Sequence, residues 1–195
     1  MPIESLFIIL AYLVGSLSGA LIVSKIMGIP DPRTQGSGNP GATNVLRHGG
    51  KKAAVITLCL DVFKGVVAVL GAKFGAASDL ILAGVTLAVF LGHLYPIFFK
   101  FRGGKGVATA CGALLVLVWP VGLAALVTWL IMALLFRYSS LAAILAAILT
   151  PGYMFWFSGV WEYVFVSFII SALLIWRHRS NIRNLLIGKE DKISS

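Results

Sequence analysis

The run Val107-Ala-Thr-Ala-Cys-Gly-Ala-Leu-Leu-Val-Leu-Val-Trp-Pro-Val-Gly-Leu-Ala-Ala-Leu-Val-Thr-Trp-Leu-Ile-Met-Ala-Leu-Leu-Phe136, closed by Arg137, decides how this chain is built. It carries no charge, and Trp119-Pro120 stands near its middle. A helix needs about 20 apolar residues to cross a bilayer, so this stretch is too long for one ordinary span. Proline lacks the amide hydrogen that continues a helix. The run is therefore either one tilted, kinked helix or two short ones with a turn at Pro120.

Its surroundings set the class. Of 195 residues, 59% are hydrophobic and 12% charged, with a mean hydropathy of +0.96; soluble domains average about 25% charged. This excludes a soluble globular enzyme and a disordered chain. What remains is an all-α polytopic membrane bundle, a single domain over 1–195. Five further apolar stretches lie at roughly 4–27, 53–73, 80–99, 141–157 and 160–176, most near the length that a ~30 Å hydrocarbon core requires. The first charge is Glu4, and the run from Leu6 to Val23 is too long for a signal-peptide core, so the first stretch reads as a retained span. Cys59 and Cys111 lie inside apolar runs, which predicts neither a disulfide framework nor a metal site.

Charge placement chooses between the two readings of 107–136. Sixteen Lys and Arg oppose seven Asp and Glu, a net charge of +9. Fourteen of the sixteen fall in or beside four places: Lys25, Arg33, Arg47, Lys51 and Lys52; Lys100, Arg102 and Lys105; Arg137; and Arg177, Arg179, Arg183, Lys189 and Lys192. The gaps between hold Glu4, Asp79 and Glu162, opposed by Lys73 alone. If every basic place is cytoplasmic, an even number of spans separates residue 106 from residue 177. Splitting at Pro120 satisfies this and predicts seven transmembrane helices, with the N-terminus extracytoplasmic and the C-terminus cytoplasmic. The segment 107–118 is then only about 18 Å long, so its ends must meet water or a thinned region. With its charge confined in this way, the chain reads as one that meets anionic lipids or substrates, with no nucleic acid as partner.

The cytoplasmic connections carry the chemistry. In the first, Gly36-Ser37-Gly38-Asn39-Pro40-Gly41-Ala42-Thr43-Asn44 precedes Arg47 and His48. Three glycines let backbone N–H groups turn toward one point, and Ser, Thr and Asn add donors, which suits a phosphate; the alternative is a flexible turn. The Lys of a nucleotide-binding P-loop is missing. In the second, Arg102-Gly103-Gly104-Lys105-Gly106 opens a helix, placing free N–H groups and a cation together; the alternative is a basic loop that only sets topology. The third, Arg177-His178-Arg179-Ser180-Asn181-Ile182-Arg183 continuing to Gly188-Lys189-Glu190, reads either as a site or as a tail snorkelling to headgroups. Ser139 and Ser140 follow Arg137-Tyr138, where a serine N-cap is an ordinary explanation. His93 reads equally as packing or site, and Asp61 with Lys64, three apart in a span, reads as a structural ion pair. The residues five after His48, His93 and His178 are Ala53, Phe98 and Arg183, so the His-x₄-Asp dyad of many glycerolipid acyltransferases is missing. There is no Gly-x-Ser-x-Gly elbow.

Taken together, three stretches resemble the motifs of the bacterial acyl-phosphate:glycerol-3-phosphate acyltransferase family: Gly36 to Asn44; Leu91-Gly-His-Leu-Tyr-Pro-Ile-Phe98 with Gly103 to Thr109; and Arg177 to Ile182 with Gly188-Lys-Glu190. Asp61-Val-Phe-Lys64-Gly65 and Arg137 to Ser140 also match family segments. The resemblance covers the whole chain. It implies an inner-membrane enzyme, its site facing the cytoplasm, that moves a fatty acyl group from acyl phosphate to the sn-1 hydroxyl of glycerol 3-phosphate. It implies no cofactor, no metal and no obligatory protein partner. On this resemblance, Gly36, Gly38, Asn39, Gly41, Thr43, Asn44, Gly103, Gly104, Gly106, Ser139 and Ser140 are expected to hold acyl phosphate. Ser37, Arg47, Lys105, His178 and Asn181 are expected to hold glycerol 3-phosphate, with His178, Lys105, Asn181 and Ser37 at the reacting centre. The competing class is a small-anion transporter, which predicts a polar path through the membrane.

Overall fold

The computed structural model describes residues 2–193. Among these, regular structure is helical throughout: α1 (Pro2–Gly15), α2 (Gly19–Met27), α3 (Ala42–Phe74), α4 (Asp79–Leu94), α5 (Val107–Leu117), α6 (Trp119–Phe136), α7 (Ser139–Ser158), α8 (Trp161–Arg177) and α9 (Arg179–Leu186), with a 3₁₀ turn at Ile97–Phe99. Four segments are long and apolar enough to cross a membrane: Ala42–Phe74, Asp79–Phe99, Trp119–Phe136 and Ser139–Ser158. The bent pair α1 and α2 makes a fifth when counted as one segment. Helices α5 and α8 are shorter, at 11 and 17 residues.

The break expected at Pro120 is present: α5 ends at Leu117, and α6 begins at Trp119 with its proline in the first turn, where a missing N–H costs nothing. The apolar stretch 4–27, expected as one span, is built of two helices. The helix stops after Gly15 and restarts at Gly19, bent by 41°. A broken helix inside an apolar bundle exposes backbone polar groups that must find partners. Two do: the Leu17 carbonyl accepts from Lys64 Nζ at 2.8 Å, and the Gly19 N–H donates to Asp61 Oδ1 at 3.4 Å. Asp61 and Lys64 do form the expected pair, at 2.9 Å.

Helix α4 is the centre of the bundle, packed against α1, α3, α5 and α8. Its Val85, Val89, Phe90 and Leu94 are fully buried. Close helix approach relies on small residues, as is usual where lipid supplies no hydrophobic drive between helices. Gly112 of α5 lies against the Val62 carbonyl of α3, and Gly65 of α3 lies against the Thr109 carbonyl and Ala113 of α5.

That second contact explains the short α5. Its first turn is level with Gly65, about 21 Å along α3 from Lys51 at 1.5 Å per residue, so the helix begins deep in the bundle. At its other end, the Val116 and Leu117 carbonyls accept from Lys73 Nζ at 2.6 and 3.0 Å, beside the end of α3. The chain between α4 and α5 loops out through Phe101 and folds back until the Gly104 N–H donates to the His93 carbonyl at 3.1 Å.

Candidate active site

The first loop is built around Asn44, which is 2% exposed. Its Nδ2 donates to the Pro32 and Gln35 carbonyls at 2.8 and 3.0 Å, and its Oδ1 accepts from the Ser37 N–H at 3.3 Å. Asn44 therefore shapes the loop from inside, with its amide fully engaged. Gly36 and Gly38 adopt left-handed backbone, φ 50° and 68°. Ser37 is exposed and its Oγ accepts from the Asn39 N–H at 3.4 Å. Thr43, in the first turn of α3, shares a hydrogen bond with Ser139 at 3.2 Å, joining this loop to α7. The N-cap of α7 is Tyr138, so Ser139 and Ser140 are first-turn residues and not caps.

The second loop delivers Lys105. Gly106, the N-cap of α5, has φ 90°, where a side chain would be strained, and any Cβ there would strike the Phe90 ring. The N–H groups of the following turn have no helical carbonyl before them. Arg177, at the end of α8, grips the loop from its carbonyls: Nη2 donates to Gly103 at 2.8 Å and Gly104 at 3.0 Å.

The third element ties these together. Lys105 Nζ donates to Asn181 Oδ1 at 2.5 Å. Asn181 Nδ2 donates to Glu190 Oε1 at 2.7 Å, and the same oxygen accepts from Ser140 Oγ at 2.6 Å. Arg47 Nη1 stands 3.3 Å from Asp191 Oδ2, while its Nη2 donates to the Asp191 and Lys192 carbonyls at 3.1 and 3.3 Å. The Ile193 N–H donates to the Arg137 carbonyl. All four basic places of the sequence therefore converge on one end of the bundle, joined by residues 177–193.

His178 is 3% exposed. Its Nδ1 lies 2.8 Å from the Leu174 carbonyl, and a carbonyl can only accept. Nδ1 therefore carries the proton, and in the neutral ring Nε2 presents a lone pair. Burial first, then the charge of Lys105, hold this imidazole down to about 4, so it is neutral near pH 7. Burial likewise pushes the Lys105 ammonium down to about 8; Glu190 opposes that shift, while Arg177 and Arg47 reinforce it. The site is a cationic cluster with one acidic hub and a neutral imidazole beside it.

Of the expected residues, Lys105, Asn181 and Ser140 are linked through Glu190, Arg47 is bound by residues 191 and 192, Thr43 pairs with Ser139, and His178 is bonded to the Leu174 carbonyl and feels the charge of Lys105. Ser37, Asn39 and Gly41 stay within the first loop. Glu190 and Arg177, part of a matched motif but given no role from sequence, turn out to hold Asn181 and the glycine turn. An acidic pair, Glu190-Asp191, inside a basic tail was the signal that pointed to a local partner.

Residues 5–188 match the profile of the glycerol-3-phosphate acyltransferase family. The chain is 53% identical over 195 residues to the glycerol-3-phosphate acyltransferase of Methylococcus capsulatus, covering 100% of this chain and 98% of that one. It is 58% identical over 192 residues to that of Cupriavidus taiwanensis, covering 96% and 95%. It is also similar to the crystal structure of PlsY (YgiH), an integral membrane glycerol 3-phosphate acyltransferase, in its glycerol 3-phosphate form: TM-score 0.92 and 42% identity, over 98% of this chain and 96% of that one. The lysophosphatidic acid form of PlsY matches with TM-score 0.89 and 41% identity, over 97% and 94%. With its sequence matched along nearly its whole length and its fold shared with these enzymes, the chain belongs to the glycerol-3-phosphate acyltransferase family of membrane proteins.

Proposed function

We propose that this protein transfers a fatty acyl group from acyl phosphate to the sn-1 hydroxyl of glycerol 3-phosphate, releasing lysophosphatidate and inorganic phosphate for phospholipid synthesis. The observation that carries this reading is the Lys105–Asn181–Glu190 chain, which joins the second glycine turn to the C-terminal segment near the neutral His178. Both substrates bear phosphate, and two anion cradles at one end of an apolar bundle match that requirement.

Acyl phosphate is a mixed anhydride with a good leaving group, so the protein's task is alignment and charge stabilisation. The sn-1 oxygen attacks the acyl carbon, the ester bond forms, and the bond from that carbon to the phosphate oxygen breaks. Arg47, Lys105, Asn181 and Ser37 hold glycerol 3-phosphate. The turns at Gly36–Asn44 and Gly103–Gly106, with Ser139 and Ser140, hold the donor's phosphate. His178 Nε2 accepts a hydrogen bond from the attacking hydroxyl. A phosphate monoester has its second pKa near ~6 and the imidazole is held down to about 4, so a phosphate oxygen is the better final acceptor of the proton. No acyl-enzyme forms.

In this reading the chain crosses the inner membrane seven times, by α1 with α2, α3, α4, α5, α6, α7 and α8. The N-terminus is extracytoplasmic, the C-terminus is cytoplasmic, and the site opens to the cytoplasm. Convergence of the basic loops on one end supports that orientation. The transporter alternative required a polar path; Lys64 instead has all three of its hydrogens bonded within the bundle.

Purified protein given acyl phosphate and glycerol 3-phosphate should make lysophosphatidate and phosphate in equal amounts. With acyl-CoA or acyl carrier protein as donor it should not, and reaction with either would overturn the donor assignment. Radiolabelled acyl phosphate without acceptor should leave no acyl label on denatured protein. A surviving label would sink direct transfer.

A further inference from the structure

Lys64 is 5% exposed, Asp61 2% and His93 7%, so this polar group is sealed in the bundle. The Lys64 ammonium has three hydrogens and three acceptors: Asp61 Oδ1 at 2.9 Å, the Leu17 carbonyl at 2.8 Å and His93 Nδ1 at 2.8 Å. An ion pair that merely neutralised charge within α3 would need Asp61 alone. The bond to His93 reaches α4 and orients a ring there. Asp61 Oδ1 is 3.5 Å from the same Nδ1, farther than Lys64, so Nδ1 is the acceptor and the ring proton sits on Nε2.

The other edge of that ring faces the second loop. Nε2 lies against Gly104 so closely that any Cβ at Gly104 would overlap it. The His93 carbonyl accepts the Gly104 N–H at 3.1 Å, and any Cβ at Gly103 would strike the same carbonyl. His93 is thus a wall on which the two glycines before Lys105 are seated, and Lys64 sets the angle of that wall.

We propose that Lys64 is a positioning residue for acyl transfer, acting through His93 to fix the Gly103-Gly104 turn and hence the place of Lys105. This rests on the reading that Lys105 and its turn hold a substrate phosphate. Asp61 holds the ammonium in place, and the break between α1 and α2 supplies the third acceptor, so three helices are pinned at the back of the site.

The test replaces the pair by apolar groups of similar size, Asp61→Leu with Lys64→Met. Exchange of a buried ion pair for well-packed apolar side chains is often neutral in itself, but here it also leaves the Leu17 carbonyl and the Gly19 N–H without their partners. The double variant should therefore stay monodisperse in detergent with a lowered Tm, and its kinetics are read well below that Tm. Displacing a catalytic group by about 1 Å costs on the order of 100-fold, so its kcat/KM should fall 10- to 100-fold. A companion pair guards against a folding failure. His93→Asn, whose amide oxygen takes the place of Nδ1 as acceptor, should keep activity within about fivefold, while His93→Leu should lose as much as the double variant. Wild-type kinetics in the double variant would overturn the proposal, as would equal loss in His93→Asn and His93→Leu. Lys105→Ala, run alongside, separates the two readings. Full activity there removes the phosphate role of the turn itself. An inactive Lys105→Ala beside a fully active double variant removes only the role of Lys64.

Discussion

Lys105 Nζ and Asn181 Oδ1 are 2.5 Å apart although 76 residues separate them in the chain. The contact fixes which way the Asn181 amide faces, because its Nδ2 is committed to Glu190 at 2.7 Å. The amide is a two-faced connector, accepting from a cation and donating to a carboxylate.

Asn181→Asp tests that asymmetry. The new carboxylate suits Lys105 but confronts Glu190, and like charges at that distance repel. The cluster should reorganise and kcat/KM for glycerol 3-phosphate should drop by at least about 100-fold. Steady-state kinetics on the purified variant reads this directly.

The pH profile follows from Lys105, pushed down to about 8. On the proposed role of Lys105, substrate binding needs the ammonium, so kcat/KM should fall as pH rises through about 8, and Lys105→Arg, always charged, should lose that limb. Glu190 opposes the depression, so in Glu190→Gln the limb should move to lower pH. For stability the sign is opposite. The folded pKa lies below the ordinary 10.5, the unfolded chain binds more protons between about 8 and 10.5, and the contribution of Lys105 to stability therefore rises with pH across that window. Urea titrations at pH 8 and 10, wild type against Lys105→Met, check it.

In the proposed site, Arg47 exchanges Asp191 for a substrate phosphate. The Asp191 carboxylate is 78% exposed, and such a pair is worth about 1 kcal/mol or less. Asp191→Ala should leave Tm unchanged and lower KM for glycerol 3-phosphate by no more than about fivefold. A rise in KM would show that the tail carboxylate helps to form the site.

Lys73 offers a contrast. It caps the short α5 at the Val116 and Leu117 carbonyls, at the end remote from Lys105. Lys73→Met should lower Tm by about 2–4 °C, the shift expected for a loss of ~1 kcal/mol in a chain of this length, with kcat/KM within twofold of wild type. Thermal unfolding in detergent, with activity measured on the same sample, distinguishes this from a catalytic effect.

Much of the candidate site was legible in sequence because its parts are local. The glycines of 36–41 and 103–106, the cation at 105 and the run from Arg177 to Asn181 are contiguous, and each is recognisable from what its residues do to the backbone. Pro120 was legible for the same reason, since a proline interrupts a helix wherever it stands. The break at Ser16–Ser18 was not. Hydropathy is averaged over about 20 residues and passes over three, and the groups that make the break tolerable, Asp61 and Lys64, are 42 to 47 residues away. Asn44 looked like a donor to a ligand by its type; only the folded loop shows its amide bonded to Pro32 and Gln35.

By itself, the sequence determined that this is an all-helical membrane protein, that its long apolar run divides at Pro120, and which connections are candidates for holding phosphate. Those properties reside in composition and in short runs. The tertiary structure decided how deep the second cradle lies, that Glu190 joins Ser140 to Asn181, and that Lys64 and His93 stand behind Lys105. Each of these is a contact between distant parts of the chain, made by hydrogen bonds that leave no periodic trace in the residues between them.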